Sequence, residues 1–543
     1  MPQPFDVVPY SISELAGLME EHSSCSLQSV MEKVHLTYFE DYFNFLNAKT
    51  IVVEKPYIDR AYLEDFAAYY VRCFRDYTSS CSRLHFFDNE FDESQFVGTL
   101  KKEDGAISFQ QMGDSYLGFI VLKPLPKTIV GRTCLKTYPS QNRRCFPTIR
   151  THNVHLFGIP LKIETVAFQE QDKVVAACAT SALWSIFQCT AKLFEHSIPS
   201  PVDITRTAAR GPSRGNRALP NAGLQYPEIA EAISVLGLEP YILARKDGEE
   251  IETELLLKAT VYAYLKARIP LFLGIDMFGV LEEINDSDDG SNCETMADGQ
   301  NKIGHHGVAI TGFSYSENSV QPSTEAMHDE LVLTAQRIEK IFVHDDQVGP
   351  FAKMEIREDA KGPFLTTSQK RDGYDSVIAR HTHLVAPLYH KIRIPFYSIL
   401  AIVADFDKLF AGLTPPDEHT KLELPFEWDI HLAYASELKK EVIDLPNTEL
   451  DDAGRVATLT KSLPKYLWRA TAITNSSKKI DLLFDATDIE QGQSLLHLIE
   501  YDKQVGAILK AVFSLEEEEQ KKLTNRPSWQ IIEWFKPKPI GVS

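Results

Sequence analysis

The stretch Cys178–Phe194, CATSALWSIFQCTAKLF, decides how the rest of the chain is read. Leu183, Ile186, Phe187, Ala191 and Phe194 fall on one stripe at helical spacing, so the segment predicts an amphipathic helix that buries one face. Cys178 stands in its first turn. The free amides and partial positive charge of a helix N-terminus favour thiolate over thiol, which makes Cys178 a candidate nucleophile. Cys189, eleven residues further along and inside the same helix, is expected to be a packing residue.

Working outward, Pro227 opens a second helix (PEIAEAISVLG) and Gly237 closes it. Short strands are expected at 240–243, 270–275, 308–313 and 340–344. An acidic loop over 281–302 precedes the third and is placed to act as a lid. Four features then fall in one order: Gln171, Cys178 opening a helix, His306 opening a strand, and Asp345 ending the next strand. A histidine across a cleft can hold the thiolate as an ion pair and later protonate a leaving amine. An acceptor on its second nitrogen fixes tautomer and orientation. The Gln171 amide, just upstream, could join the Cys178 backbone N–H in binding an oxyanion. His305 and His306 adjoin on a strand and so should point to opposite faces, which argues against both serving one metal. The spacing of His305 and His344 does not suit a zinc site either, and neither metal nor organic cofactor is expected.

These residues resemble papain-like cysteine peptidases, most closely the bacteriocin-processing, double-glycine-type branch. CATSAL (178–183) is similar to that family's Cys-Gly-Pro-Ala/Thr-x-Leu helix opening. HGVAITGF (306–313) is similar to its histidine, apolar strand and Gly-aromatic signature, and the spacing from His306 to Gly312 is what favours His306 over His305. IFVHDD (341–346) is similar to its strand ending in Asp-Pro, with Asp345 in the acidic position. The resemblance covers roughly residues 165–357. It implies an α+β fold whose central domain, 161–361, packs a cysteine-bearing helix on an antiparallel sheet. It further implies a thiol-dependent hydrolase of peptide or isopeptide amides, with Cys178 as nucleophile, His306 as base, Asp345 as its orienting partner and Gln171 in the oxyanion site. Ala179-Thr180 stand where the family has Gly-Pro, and Asp346 where it has Pro. The family's glutamine, six residues before the cysteine, is here Asp172, with Gln171 at seven and Gln169 at nine. Two other readings stay open: a catalytically degenerate binding or scaffold protein, and an acyltransferase or deamidase using the same triad.

The remainder of the chain constrains the setting. Its 543 residues carry 76 Asp and Glu against 56 Lys and Arg, a net charge of −20. That balance argues against nucleic acid as a partner and against general attraction to anionic membranes. Eight cysteines without a CxxC pair make neither a disulfide scaffold nor an evident zinc site. The opening residues lack a basic patch followed by an apolar run, so no secretory signal is expected. The most apolar stretch, residues 394–404, is about half the length needed to cross a bilayer. We expect a cytoplasmic, multidomain protein acting on a peptide or protein substrate. The flanks, 1–160 and 362–543, read as mixed α/β domains without catalytic motifs, open to a partner protein or a homo-oligomer. Within them, 57–77 reads as helical and 116–122 as a buried strand. Residues 428–434, 466–470 and 480–484 read as strands, 437–442 as helix, and FDATD (484–488) as a capped turn. The arginine-rich run 205–217 is a candidate substrate-facing loop, and 516–519 a solvated helix face.

Overall fold

The computed structural model describes residues 3–172, 174–175, 177–210, 219, 223–244, 253–281, 300–316, 331–359, 361–411, 425–488, 493–512 and 523–534. The chain groups into two compact units, one of residues 1–250, 268–315 and 339–387, the other of residues 251–267, 316–338 and 388–543. Each mixes helices with antiparallel sheet, an α+β fold as expected. Most of the acidic loop (282–299), much of the arginine run (211–217), Cys293 and residues 516–519 lie outside the described residues.

In the first unit a five-stranded antiparallel sheet runs in chain order: Phe5–Pro9, Thr50–Tyr57, Cys81–Phe87, Tyr116–Leu122 and Val130–Leu135. Alternation along the strands sends Ile51, Val53, Leu84 and Phe86 into one core. They meet Leu15 and Met19 of helix Ile12–Glu21 and Phe39 and Phe43 of helix Val34–Phe45. Val52, Phe119 and Val121 enter a second core with Tyr62 and Phe96. With both faces covered, the run YLGFIVL is buried from end to end, which is why it reads as continuously apolar. The helix expected over 57–77 is shorter, Arg60–Ala68, started by the Asp59 side chain accepting from the Tyr62 amide, with one 3₁₀ turn after it.

The second sheet of this unit closes on itself. Strands Leu271–Val280, Gln300–Tyr315, Ile338–Asp345, Gly349–Asp359, Gly362–Thr366 and Ser376–Tyr389 are bonded in that order, and the last pairs back onto the first. These six strands form a closed ring, and two more complete the eight-stranded sheet, Leu238–Ala244 following Ser376–Tyr389 and Arg144–Cys145 pairing with Gln300–Tyr315. Helix Cys178–Phe194 packs on it: Ala179, Ala182, Leu183 and Phe187 share a core with Phe272, Ala309 and Val385. At Gly307 a Cβ would lie 2.6 Å from the Phe272 ring of the neighbouring strand, whereas the Ala179 Cα of the helix is 3.6 Å away, an ordinary contact. The helix expected from Pro227 is Tyr226–Ser234, and Gly237 leaves it with φ +78°.

The second unit holds helices Thr253–Leu265 and Phe396–Ala411 and strands Val332–Leu333, Glu427–Tyr434, Tyr466–Thr474, Ser477–Asp485 and Leu495–Glu500. The short first strand is parallel to its neighbour, and the others are antiparallel. Trp428 and Trp468 are fully buried with their indole N–H groups satisfied, by Asp407 at 2.7 Å and by the Ile394 carbonyl at 2.9 Å. Asp485 caps the expected turn by accepting from the Thr487 amide at 2.6 Å. Residues 396–404 of the apolar stretch lie in helix Phe396–Ala411. Among the described residues no helix is long and apolar enough to cross a membrane.

Arg469 joins buried Asp481 (2.8 Å) to Glu441, which it meets through two nitrogens at 2.6 and 2.9 Å. Removing the guanidinium leaves the Asp481 carboxylate buried without its cation. Arg469→Ala should therefore cost about 3–5 kcal/mol, read as an earlier urea midpoint in tryptophan fluorescence.

Candidate active site

Cys178 is the first residue of its helix. Ala177 precedes it in extended conformation and supplies no side-chain cap, so the first-turn amides are not spent on one. The loop leading into the helix is braced from three sides. The Asp172 carboxylate accepts from the Val174 and Val175 amides at 2.9 and 2.6 Å and from the Tyr70 hydroxyl at 3.0 Å. Thr205 donates to the Val175 carbonyl at 2.6 Å and lies 3.1 Å from the Thr180 hydroxyl. Asp65 accepts from the Val202 amide at 3.1 Å, tying the next helix, Pro201–Ala208, to the same N-terminal segment.

His306 lies on strand Gln300–Tyr315 with its side chain buried. Its Nε2 is 2.9 Å from Asp345 Oδ1 at the end of strand Ile338–Asp345. Nδ1 has no partner of ordinary hydrogen-bond geometry, and with Nε2 taken it is the nitrogen left for the Cys178 thiol, which acts on the same ring. The structure thus brings Cys178, His306 and Asp345 together. His305 points the other way, 75% exposed and paired with Asp276 at 2.5 Å, as strand alternation requires.

Asp345 is fully buried and held by two further donors, the Gln347 amide at 3.0 Å and the Gln369 side-chain amide at 2.9 Å. Asp346, next along, is also buried, but neither of its carboxylate oxygens has a partner. Its backbone carbonyl accepts from His35 Nε2 at 3.0 Å, and its Oδ1 lies 3.7 Å from His306 Nε2.

These surroundings separate the charges. Burial by itself would push His306 toward the neutral ring. The Asp345 carboxylate, its hydrogen bond, the Cys178 side chain and Asp346 outweigh burial and hold the proton on the ring well above the ordinary value of 6.5. For Asp345, burial is outweighed by His306 and the donors from Gln369 and Gln347, and the carboxyl is driven below its ordinary value. Asp346, with burial against it and Asp345 adding repulsion, is pushed up to about 7 although His306 opposes the shift.

Cys189 is buried and its thiol is pushed up to about 12 by burial, in keeping with a packing residue. Gln171 is half-buried and its side chain bonds to none of the described residues, so nothing draws its amide to Cys178. Asp172, in the position of the family glutamine, is an acceptor engaged by backbone amides rather than an oxyanion donor. His344 is buried beside Ser185 at 3.4 Å and pushed down to about 3 by burial. His344 is thus buried where His305 is exposed. Among the described residues, His306, Asp345 and Asp346 are the group whose donor atoms, all within 4.8 Å of one another, could hold a cation. Sequence reasoning missed Gln369, which sits in the polar run TTSQKRD with no local signal, and the brace from Tyr70 and Asp65, which lies more than 100 residues upstream.

No protein-family model matches the chain, and no curated protein matches it.

Asp172→Ala strips the acceptor from two backbone amides and a buried phenol. It should lower stability by roughly 3 kcal/mol or more, at about 1–3 for each of the three groups left unsatisfied, measured by chemical unfolding. A raised histidine pKa contributes stability that is fully present below about 6.5 and is lost as pH rises through the folded-state value. The ring resonances of His306 should therefore show it still protonated above pH 6.5, and Asp345→Asn should move that titration down.

Proposed function

We propose that the protein is a cytoplasmic thiol-dependent hydrolase that cleaves an amide bond in a peptide or protein, with papain-like architecture around its site. One observation carries this reading: a cysteine at an uncapped helix start acts on a buried histidine whose other nitrogen is held at 2.9 Å by a buried carboxylate. The closed barrel that carries His306 and Asp345, with the cysteine helix packed on it, supports the papain-like part.

The reaction then proceeds in two halves. The Cys178 sulfur attacks the substrate carbonyl carbon, a C–S bond forms, and the carbonyl π pair moves onto oxygen. The backbone amides at the uncapped helix start would bind that oxyanion, and Gln171 is the side chain proposed to join them. Collapse breaks the C–N bond, and the amine leaves with the proton from His306. Water, giving its proton to His306, attacks the thioester. The acid departs, and sulfur and imidazole regain their starting states. Asp345 keeps the ring oriented throughout and offsets the imidazolium charge.

A second reading, a binding protein with a silent site, is favoured by Asp172, an acceptor where a donor is wanted. Acyl transfer or deamidation would use the same three residues with a different acceptor or amide. The flanking regions are the surfaces for a partner protein in either case.

Iodoacetamide should label Cys178 near neutral pH in the native protein, and Cys178→Ala should lose both that labelling and hydrolysis of a peptide library. Asp345→Asn should reduce kcat/KM by roughly 10²–10⁴-fold, the range for losing the group that orients a catalytic histidine. Hydrolysis undiminished in Cys178→Ala would exclude the thiol mechanism. A native protein inert to both probe and peptides would favour the silent site.

A further inference from the structure

The chemistry proposed above needs no metal, yet one corner of the site is built as if for a cation. Asp346 is 3% exposed, and both its carboxylate oxygens are sealed from water with no hydrogen-bond partner. Its Oδ1 lies 3.7 Å from His306 Nε2, and Asp345 Oδ1 lies 2.9 Å from the same nitrogen. Two adjacent buried carboxylates therefore face one imidazole, and only Asp345 has N–H donors of its own from Gln347 and Gln369. An unpaired buried carboxylate costs several kcal/mol, and among the described residues neither Asp346 oxygen has a hydrogen-bond partner of ordinary geometry.

The spacing of these atoms suits one small ion. Ligands at about 2.0–2.2 Å around a tetrahedral centre sit roughly 3–3.5 Å apart, and the two carboxylate oxygens here lie 2.9 and 3.7 Å from the ring nitrogen. One imidazole nitrogen and two carboxylates make an N/O set suited to zinc-class cations rather than to calcium or magnesium. Three protein donors would leave a position for water.

We propose that His306, Asp345 and Asp346 form a binding site for a divalent transition-metal cation, zinc being its representative, and that occupancy silences the thiol site. A cation on His306 Nε2 displaces the proton shared with Asp345 and leaves the neutral ring with its one proton fixed on Nδ1, so the ring can no longer take a proton from the Cys178 thiol or from the attacking water. Binding stands on the cluster itself, whereas the silencing rests on the hydrolase reading.

The test separates the two. Metal-stripped Cys178→Ala, which lacks the thiol as a competing ligand, is titrated with zinc by calorimetry and by thermal shift. One equivalent should bind at micromolar concentration or tighter. Adding Asp346→Asn should weaken binding by about 100-fold or more, since even outer-shell partners of a metal are worth 10–100-fold. If that variant does not melt cooperatively, His306→Gln in the same background makes the same comparison. No binding in Cys178→Ala, or equal binding with Asp346→Asn, overturns the site. In the native protein, zinc should inhibit hydrolysis over the concentration range in which it binds. Binding without inhibition of an active enzyme overturns the silencing. Absence of hydrolysis with or without zinc counts against the hydrolase reading, while the calorimetry still decides the site.

Discussion

The hydrogen bond between His306 Nε2 and Asp345 Oδ1 is the contact on which the arrangement of the site depends. It joins two neighbouring strands of a closed barrel at a point where both side chains are sealed from water. In that setting a carboxylate needs its donors, and Asp345 has three: the ring, the Gln347 amide and the Gln369 amide. A carboxylate so fixed fixes the ring in turn, and the ring then offers only its other nitrogen to the cysteine helix. Gly307, beside His306, adds to the constraint, because a Cβ there would run into the Phe272 ring of the neighbouring strand.

Asp345 and Asp346 are neighbours in sequence with opposite surroundings. One carries its charge because donors surround it; the other, sealed from water and without a hydrogen-bond partner, is pushed up to about 7 by burial. Environments that push adjacent carboxyls apart in this way are characteristic of functional sites rather than of packing. Their separation arises from the end of strand Ile338–Asp345, where the chain turns and the two side chains meet different neighbours.

Local pattern made part of this legible. The cysteine helix was readable because its apolar stripe has helical period and its nucleophile stands at the first turn. Strand parity separated His305 from His306 before any coordinates, and the buried strand Tyr116–Leu122 announced itself as an unbroken apolar run. What stayed hidden is non-local. Strand Ser376–Tyr389 closes the barrel by pairing with Leu271–Val280, about 100 residues earlier, and nothing in its own composition names that partner. Gln369 acts only because the barrel returns it to Asp345. Asp172 looks like a failed glutamine in the sequence and proves to be a working acceptor, because the amides it serves lie two and three residues ahead.

The Tyr70–Asp172 and Asp65–Val202 bonds carry a consequence for how such a protein could be divided. All the atoms of the proposed reaction lie beyond residue 170, so a fragment beginning near 161 would contain a complete chemical inventory. It would nevertheless lack the phenol and the carboxylate that anchor the nucleophile's approach loop and the helix after it. Helix Arg60–Ala68 and the turn after it are in this sense the mould in which the nucleophile's turn is cast, and a reaction centre released from its mould keeps its ingredients while losing its shape.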